Sequence, residues 1–339
     1  MLEFLKPLWQ LASIDRCHVD SNISRLHYIV SVLVLVGFSI VLTSKVAGSD
    51  SILCYTRYKS DNDPSQNTLN SLCYASMSDP ISSHNTITSQ ANTNSQATPS
   101  SHQNTTVPMY YQYQAMVFFL VAITFYGPKA LWNCMENGIT AKVIQNLNEP
   151  IQDREVRAME LKLLSLYIKR HFGHHKMLAL AYFLTDIMYL INLFVQVTVL
   201  HKVFGDFMTY GISADMNVVF PKSASCIIND YTNEQTVIGT CLLPLNYLTD
   251  KFVFVLWWWF ACVGILTCGQ IVHHMLFIFS DRYRNQVLCI KGGRYWTVTD
   301  IQRIFQGLTE CEAIGESVFL LLIIQNLESD TNLDLLNLL

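Results

Sequence analysis

The sequence predicts an all-α membrane protein with four transmembrane helices. Three observations lead there. Hydrophobic residues make up 51% of the 339 residues and charged residues only 14%, whereas globular domains carry about 25% charged residues. Four apolar stretches fall at 28–44, 110–132, 177–200 and 252–272, each near the roughly 20 residues that a helix needs to cross a hydrocarbon core. The segments between them are polar or basic. The net charge of −4 is too small to suggest a nucleic-acid partner. No nucleophile–base pair, phosphate-cradling glycine loop or metal-ligand spacing stands out, so the chain reads as a non-enzyme with no cofactor.

In chain order, residues 1–27 lack an apolar run, but Leu2, Phe4, Leu5, Leu8, Trp9 and Leu11 can share one face of a short amphipathic helix. The alternative is a terminus without fixed structure. The first span, 28–44, is followed by small residues at Val46-Ala47-Gly48, as a cleaved signal would be; the polar region before it is too long for one. Residues 45–109 form a loop rich in Ser, Thr, Asn and Gln from Ser60 to Thr106, with no apolar periodicity. Such a segment cannot bury enough surface to fold by itself. It holds Cys54 and Cys73, and Asn104-Thr105-Thr106 is a glycosylation acceptor pattern.

The second span, 110–132, has Tyr110, Tyr111 and Tyr113 at one end and Trp132 at the other, where amphipathic rings anchor at the interface. Pro128 lacks an amide hydrogen and should kink this helix or loosen its last turn. Residues 133–176 are basic. Asp153 can cap a helix whose Val156, Met159, Leu163, Leu166 and Tyr167 share one face. His171, His174 and His175 at its end read as a solvated basic face rather than metal ligands, since further ligands are not apparent.

The third span, 177–200, contains Asp186, with Asn192 and Gln196 beyond. A charge within a membrane helix is costly and faces protein or water, so pairing between helices is expected ahead of direct pore lining. The loop 201–251 holds Cys226 and Cys241, and the fourth span, 252–272, carries Trp257-Trp258-Trp259 near its start. In 273–339, Thr299 with Gln302 gives a capping-box pattern, and Ile301, Ile304, Phe305 and Leu308 share a helical face. Val318 to Ile324 is too short to span and reads as a buried helix.

The positive-inside rule sets the orientation. Segments 1–27, 133–176 and 273–339 carry three, seven and five Lys or Arg, against three in each of the long loops 45–109 and 201–251. Both termini and the middle loop are therefore expected in the cytoplasm, as parts of a helical cytoplasmic domain. Cys54, Cys73, Cys226 and Cys241 then fall outside, where disulfides persist. Four external cysteines allow three pairings. Cys17, Cys134, Cys262, Cys268, Cys289 and Cys311 are expected as free thiols.

Several motifs resemble the innexins, the invertebrate gap-junction proteins. Tyr110-Tyr111-Gln112, with Pro128 near the far end of the span, resembles their signature, which carries Trp where this chain has Tyr113. Arg25-Leu26-His27-Tyr28 resembles the start of their first span, though Ser24 replaces an aromatic. Phe204-Gly205-Asp206-Phe207, Tyr210-Gly211, Phe220-Pro221-Lys222 and Leu243-Pro244-Leu245-Asn246 recur in the order of their second extracellular loop. Asp186 with Asn192 resembles their third span, and Gly315-Glu316 with Gln325-Asn326 their C-terminal region. The resemblance implies a large-pore channel subunit in an octameric ring of like subunits in the plasma membrane, surrounded by lipid, passing ions and small metabolites with weak selectivity. It implies small extracellular loops cross-linked first with last, Cys54 to Cys241 and Cys73 to Cys226. It also implies an N-terminal pore funnel, with Leu2, Glu3 and Phe4 at the narrowest point. Docking of two rings between cells, a hemichannel that never docks (as in pannexins), and a four-span adhesion protein without a pore (like claudins or tetraspanins) are the functional alternatives.

Overall fold

The structure is a computed structural model. It describes residues 20–48, 52–56, 66–76, 109–136, 138–144, 154–204, 207, 220–229, 236–293, 296–327 and 329–339. Leu2, Glu3, Phe4, the polar stretch with Asn104, and the proposed cap Asp153 lie outside the described residues.

In chain order the helices are α1 (Asn22–Ala47), α2 (Gln66–Ser76), α3 (Gln114–Phe125), α4 (Gly127–Glu136), α5 (Ile139–Ile144), α6 (Arg154–Arg170), α7 (Lys176–Phe204), α8 (Pro244–Phe279), α9 (Asp281–Gly292), α10 (Val298–Ile304), α11 (Glu310–Ile324) and α12 (Ser329–Leu338). The strands are β1 (Leu53–Thr56), β2 (Ser223–Asn229) and β3 (Thr236–Leu242). Four stretches are long and apolar enough to cross a membrane: α1, the α3–α4 pair over Gln114–Glu136, α7 and α8. The fold is thus an all-α four-span membrane protein with one small sheet in its loops.

Local chemistry explains the boundaries. Ser21 caps α1 by accepting the Ser24 amide at 3.0 Å, and α1 passes through a π-helical stretch at Leu26–Ser31. Pro128 lies in the first turn of α4, where its missing amide hydrogen costs least. The second span therefore breaks at Tyr126, whose amide reaches back only to the Ile123 carbonyl. The Glu136 carboxylate accepts the amides of Gly138 at 2.8 Å and Thr140 at 2.6 Å and so starts α5. The capping box before α10 uses Thr297 with Asp300, not Thr299 with Gln302. Both pairs fit the spacing, but Thr297 holds the extended backbone that an N-cap needs. A second box, Thr309 with Glu312, starts α11.

The chain divides into two compact units. One comprises Met1–Val32, Ile123–Phe194 and Cys262–Leu339. Its core is built around α11, where Val318 to Ile324 are all buried, with Trp132, Leu161, Leu164, Ile168, Leu288 and Trp296 around them. Here α6 corrects the expected face. Leu161, Leu164 and Ile168 point into the core, while Val156, Met159, Leu163 and Leu166 are exposed. The helix has two apolar stripes, and the wider, four-residue one looks outward. His175 is likewise not solvated: it is buried and bonded through Nδ1 to Glu316 Oε1 at 2.8 Å.

The other unit comprises Leu33–Ala122 and Val195–Ala261. Its antiparallel sheet runs β1-β3-β2. Phe38 stacks on Phe252 at 4.1 Å between ring centres, and Phe118 stacks on Phe204 at 5.5 Å.

Candidate functional site

Two constellations hold polar groups in place, one in each unit. The first surrounds Asp186, which is buried on α7. A lone carboxylate there would be costly. Gln270 and His274 stand one turn apart on α8 and so share a face. Gln270 Nε2 donates to Asp186 Oδ1 at 2.5 Å, and His274 Nδ1 bonds the other oxygen. Gln270 Oε1 in turn accepts from the Ser21 hydroxyl at 3.0 Å. One residue earlier, Asp20 accepts from Tyr28 at 2.7 Å and from Lys129 of α4 at 2.5 Å. The Lys129 ammonium also lies 5.3 Å from the centre of the Tyr28 ring. His27 bonds Thr267 at 2.7 Å and stacks on Tyr189. The start of α1 is therefore fastened to α4, α7 and α8 by side chains whose charges are paired. Asn192 follows Asp186 by six residues, about 120° around the helix, and is half-buried. The arrangement fixes helix positions; its carboxylates are committed to neighbouring donors.

A related fastening lies just before the start of α7. The buried Glu316 accepts from His175 and from the Gly173 amide at 2.8 Å. Gly173 has φ +87°, which a glycine adopts without strain. Burial and the neighbouring Glu316 carboxylate both push the Tyr167 phenol upward.

The second constellation is the sheet with α2. Cys54 of β1 lies opposite Cys241 of β3 and is bonded to it. Cys73 of α2 is bonded to Cys226 of β2. The Cys54 amide donates to Asn70 Oδ1 at 2.9 Å, so α2 is tied to β1 as well. The tyrosine motif meets this region: Gln112 Nε2 donates to the Tyr74 carbonyl at 2.9 Å, and Tyr111 is buried edge-on to Tyr74. Tyr110 sits in the 3-10 turn Met109–Gln112, and Tyr113 is half exposed. Asn246 donates to the Pro221 carbonyl at 2.9 Å, joining two of the loop motifs. Thr249 donates to Gln114 at 2.6 Å. Cys134, Cys262, Cys268, Cys289 and Cys311 are free thiols.

Sequence reasoning singled out Asp186 but not Gln270, His274, Asp20 or Lys129 as its surroundings. A polar residue recurring one turn after another inside an apolar helix, as at 270 and 274, is the signal that could have found the first two.

Comparison with known proteins places the chain in a family. A family model described as Innexin matches residues 20–339. The chain is 26% identical over 308 residues to "Innexin shaking-B" of Drosophila melanogaster, covering 84% of this chain and 81% of that protein. It is 28% identical over 298 residues to "Innexin inx2" of Schistocerca americana, covering 82% of each. It is 26% identical over 322 residues to "Innexin inx4" of Anopheles gambiae, covering 88% of this chain and 80% of that protein. With four spans, two disulfides between its loops and a match from Asp20 to the last residue, the chain belongs to the innexin family of gap-junction channel proteins.

Proposed function

We propose that the protein is a subunit of a large-pore channel that passes ions and small metabolites with weak selectivity. The observation that carries this reading is the family match across every span and loop from residue 20 onward. Eight like subunits form the ring, in the plasma membrane and at gap junctions. The termini and residues 133–176 are cytoplasmic, in keeping with their Lys and Arg content. Residues 45–109 and 201–251 are extracellular, with the disulfides Cys54–Cys241 and Cys73–Cys226 and a glycan on Asn104. The N-terminal segment lines the mouth with Leu2, Glu3 and Phe4, and Glu3 biases it toward cations. Asp186 and Asn192 serve the packing of the third span.

Charge reversal at Glu3 tests the mouth. Glu3→Lys should shift the reversal potential toward anions in a salt gradient; normal surface expression with unchanged selectivity would contradict that placement.

The polar insertion between Tyr74 and Pro108 favours a second form, the undocked hemichannel. Ordering such a chain against an opposing ring would cost roughly 1–2 kcal/mol per residue in backbone entropy. Docking is accordingly weaker than in relatives with short loops.

A further inference from the structure

We infer that Lys129 is a positioning residue for the pore mouth: its ion pair with Asp20 fixes the point from which residues 1–19 set out. The inference rests on the reading above that this segment lines the mouth and that Glu3 biases it toward cations.

Lys129 is the only basic residue between Gln114 and Glu136. An ionisable group within a span is costly and points to a function. The break at Tyr126 places it. Helix α4 restarts at Gly127, and Lys129 falls in its first turn. The ammonium lies 2.5 Å from Asp20 Oδ2, and the two side chains are only 12% and 9% exposed. The same oxygen accepts from the Tyr28 hydroxyl at 2.7 Å. The ammonium also stands 5.3 Å from the centre of the Tyr28 ring. Asp20, Tyr28 and Lys129 thus form a closed triad at the start of α1.

The triad restrains chain that precedes the helix. Asp20 lies two residues before Asn22, where α1 begins. Its neighbour Ser21, the cap of α1, donates to Gln270 Oε1 at 3.0 Å, and Gln270 is itself bonded to Asp186. Two consecutive residues are therefore gripped, one from α4 and the other from α8. The cap at Ser21 is enough to start α1. What the bond to Lys129 adds is a fixed exit for the residues before it.

A fixed exit matters because the mouth is far along the chain. Seventeen residues separate Glu3 from Asp20. A helix of that length is about 25 Å long, so a tilt of about 10° at its root moves its tip by about 4 Å. Such a displacement takes a charge off the axis of a pore entrance. Lys129 would then govern ion preference without touching the ions.

A pair that serves packing alone behaves differently. Replacing both partners of a buried ion pair by neutral residues is often close to neutral for the fold, whereas removing one strands a buried charge. The double variant Asp20→Asn with Lys129→Met therefore separates the two roles.

The test uses the full-length chain expressed in cells, with surface level, ring size and reversal potential in a salt gradient as readouts. Lys129→Met alone should lower the surface level. The double variant should restore surface level and ring size but lose the cation preference, its reversal potential moving toward zero. Lys129→Arg, which keeps the charge, should keep the preference. A double variant with normal rings and the parent's reversal potential overturns the inference. So does a double variant that cannot form rings, because the pair is then a packing element. Unchanged selectivity with Glu3→Lys in the parent protein defeats the mouth reading instead.

Discussion

Gly315 has no side chain because backbone occupies the space where one would stand. A Cβ there would lie 2.9 Å from the Lys176 amide nitrogen and 3.0 Å from the His175 carbonyl carbon. Since backbone cannot swing away, Gly315→Ala should destabilise the fold by about 1–3 kcal/mol. A lowered unfolding temperature of the detergent-purified protein would show it; an unchanged one would contradict the close approach. Asp186→Ala should cost a similar amount, about 1–3 kcal/mol, because Gln270 and His274 stay buried and lose their acceptor. Loss of ring assembly or surface level with this variant, and partial recovery with Asp186→Asn, is the expected pattern. Glu312 gives a pH signature. Its hydrogen bond from Lys176, with further bonds from Thr309, holds its carboxyl down to about 2. A depressed carboxyl contributes stability above its unfolded value, near 4.5, and loses it as the pH falls toward 2. Glu312→Gln should therefore be less stable than the parent at neutral pH, and the difference should shrink between pH 4.5 and 2. A difference constant across that window would contradict the pairing. At this scale the sequence reveals the exceptional residue but not its partner. Asp186 is conspicuous in an apolar run, yet its partners are 84 and 88 residues away. His175 looks solvated until Glu316, 141 residues on, is folded against it.

Elements were legible wherever a single periodicity ruled. The long apolar runs stand out because a membrane span is hydrophobic on all sides, and the helix over Val318–Ile324 is buried all round for the same reason. The proline in the second span marks a true break between α3 and α4. Helix α6 misled because two apolar stripes compete, and periodicity alone cannot say which one meets the core. The sheet gives little local sign. Its strands are short, and β1 finds β3 from a loop 187 residues distant by the disulfide. The prediction at this scale concerns that cross-link. Cys54→Ser should free the thiol of Cys241 and leave Cys73–Cys226 intact, at a cost of about 2–5 kcal/mol. Thiol labelling followed by peptide mapping reads the outcome, and labelled Cys73 in place of Cys241 would contradict it.

At the scale of the whole molecule, family membership and the four spans say what is built. Deleting residues 77–106 should leave hemichannel current in single cells intact and raise junctional coupling between paired cells, because less chain has to be ordered when rings meet. Coupling that is already strong in the intact protein, and unaltered by the deletion, would show that the insertion does not obstruct docking. The central claim, that like subunits surround a wide pore, is tested most directly by reconstituting the purified protein in liposomes and recording single channels with flux of a small anionic and a small cationic dye. The account predicts discrete large-conductance openings with passage of both dyes. Closed liposomes holding intact rings, with neither current nor dye flux at any voltage, would contradict it.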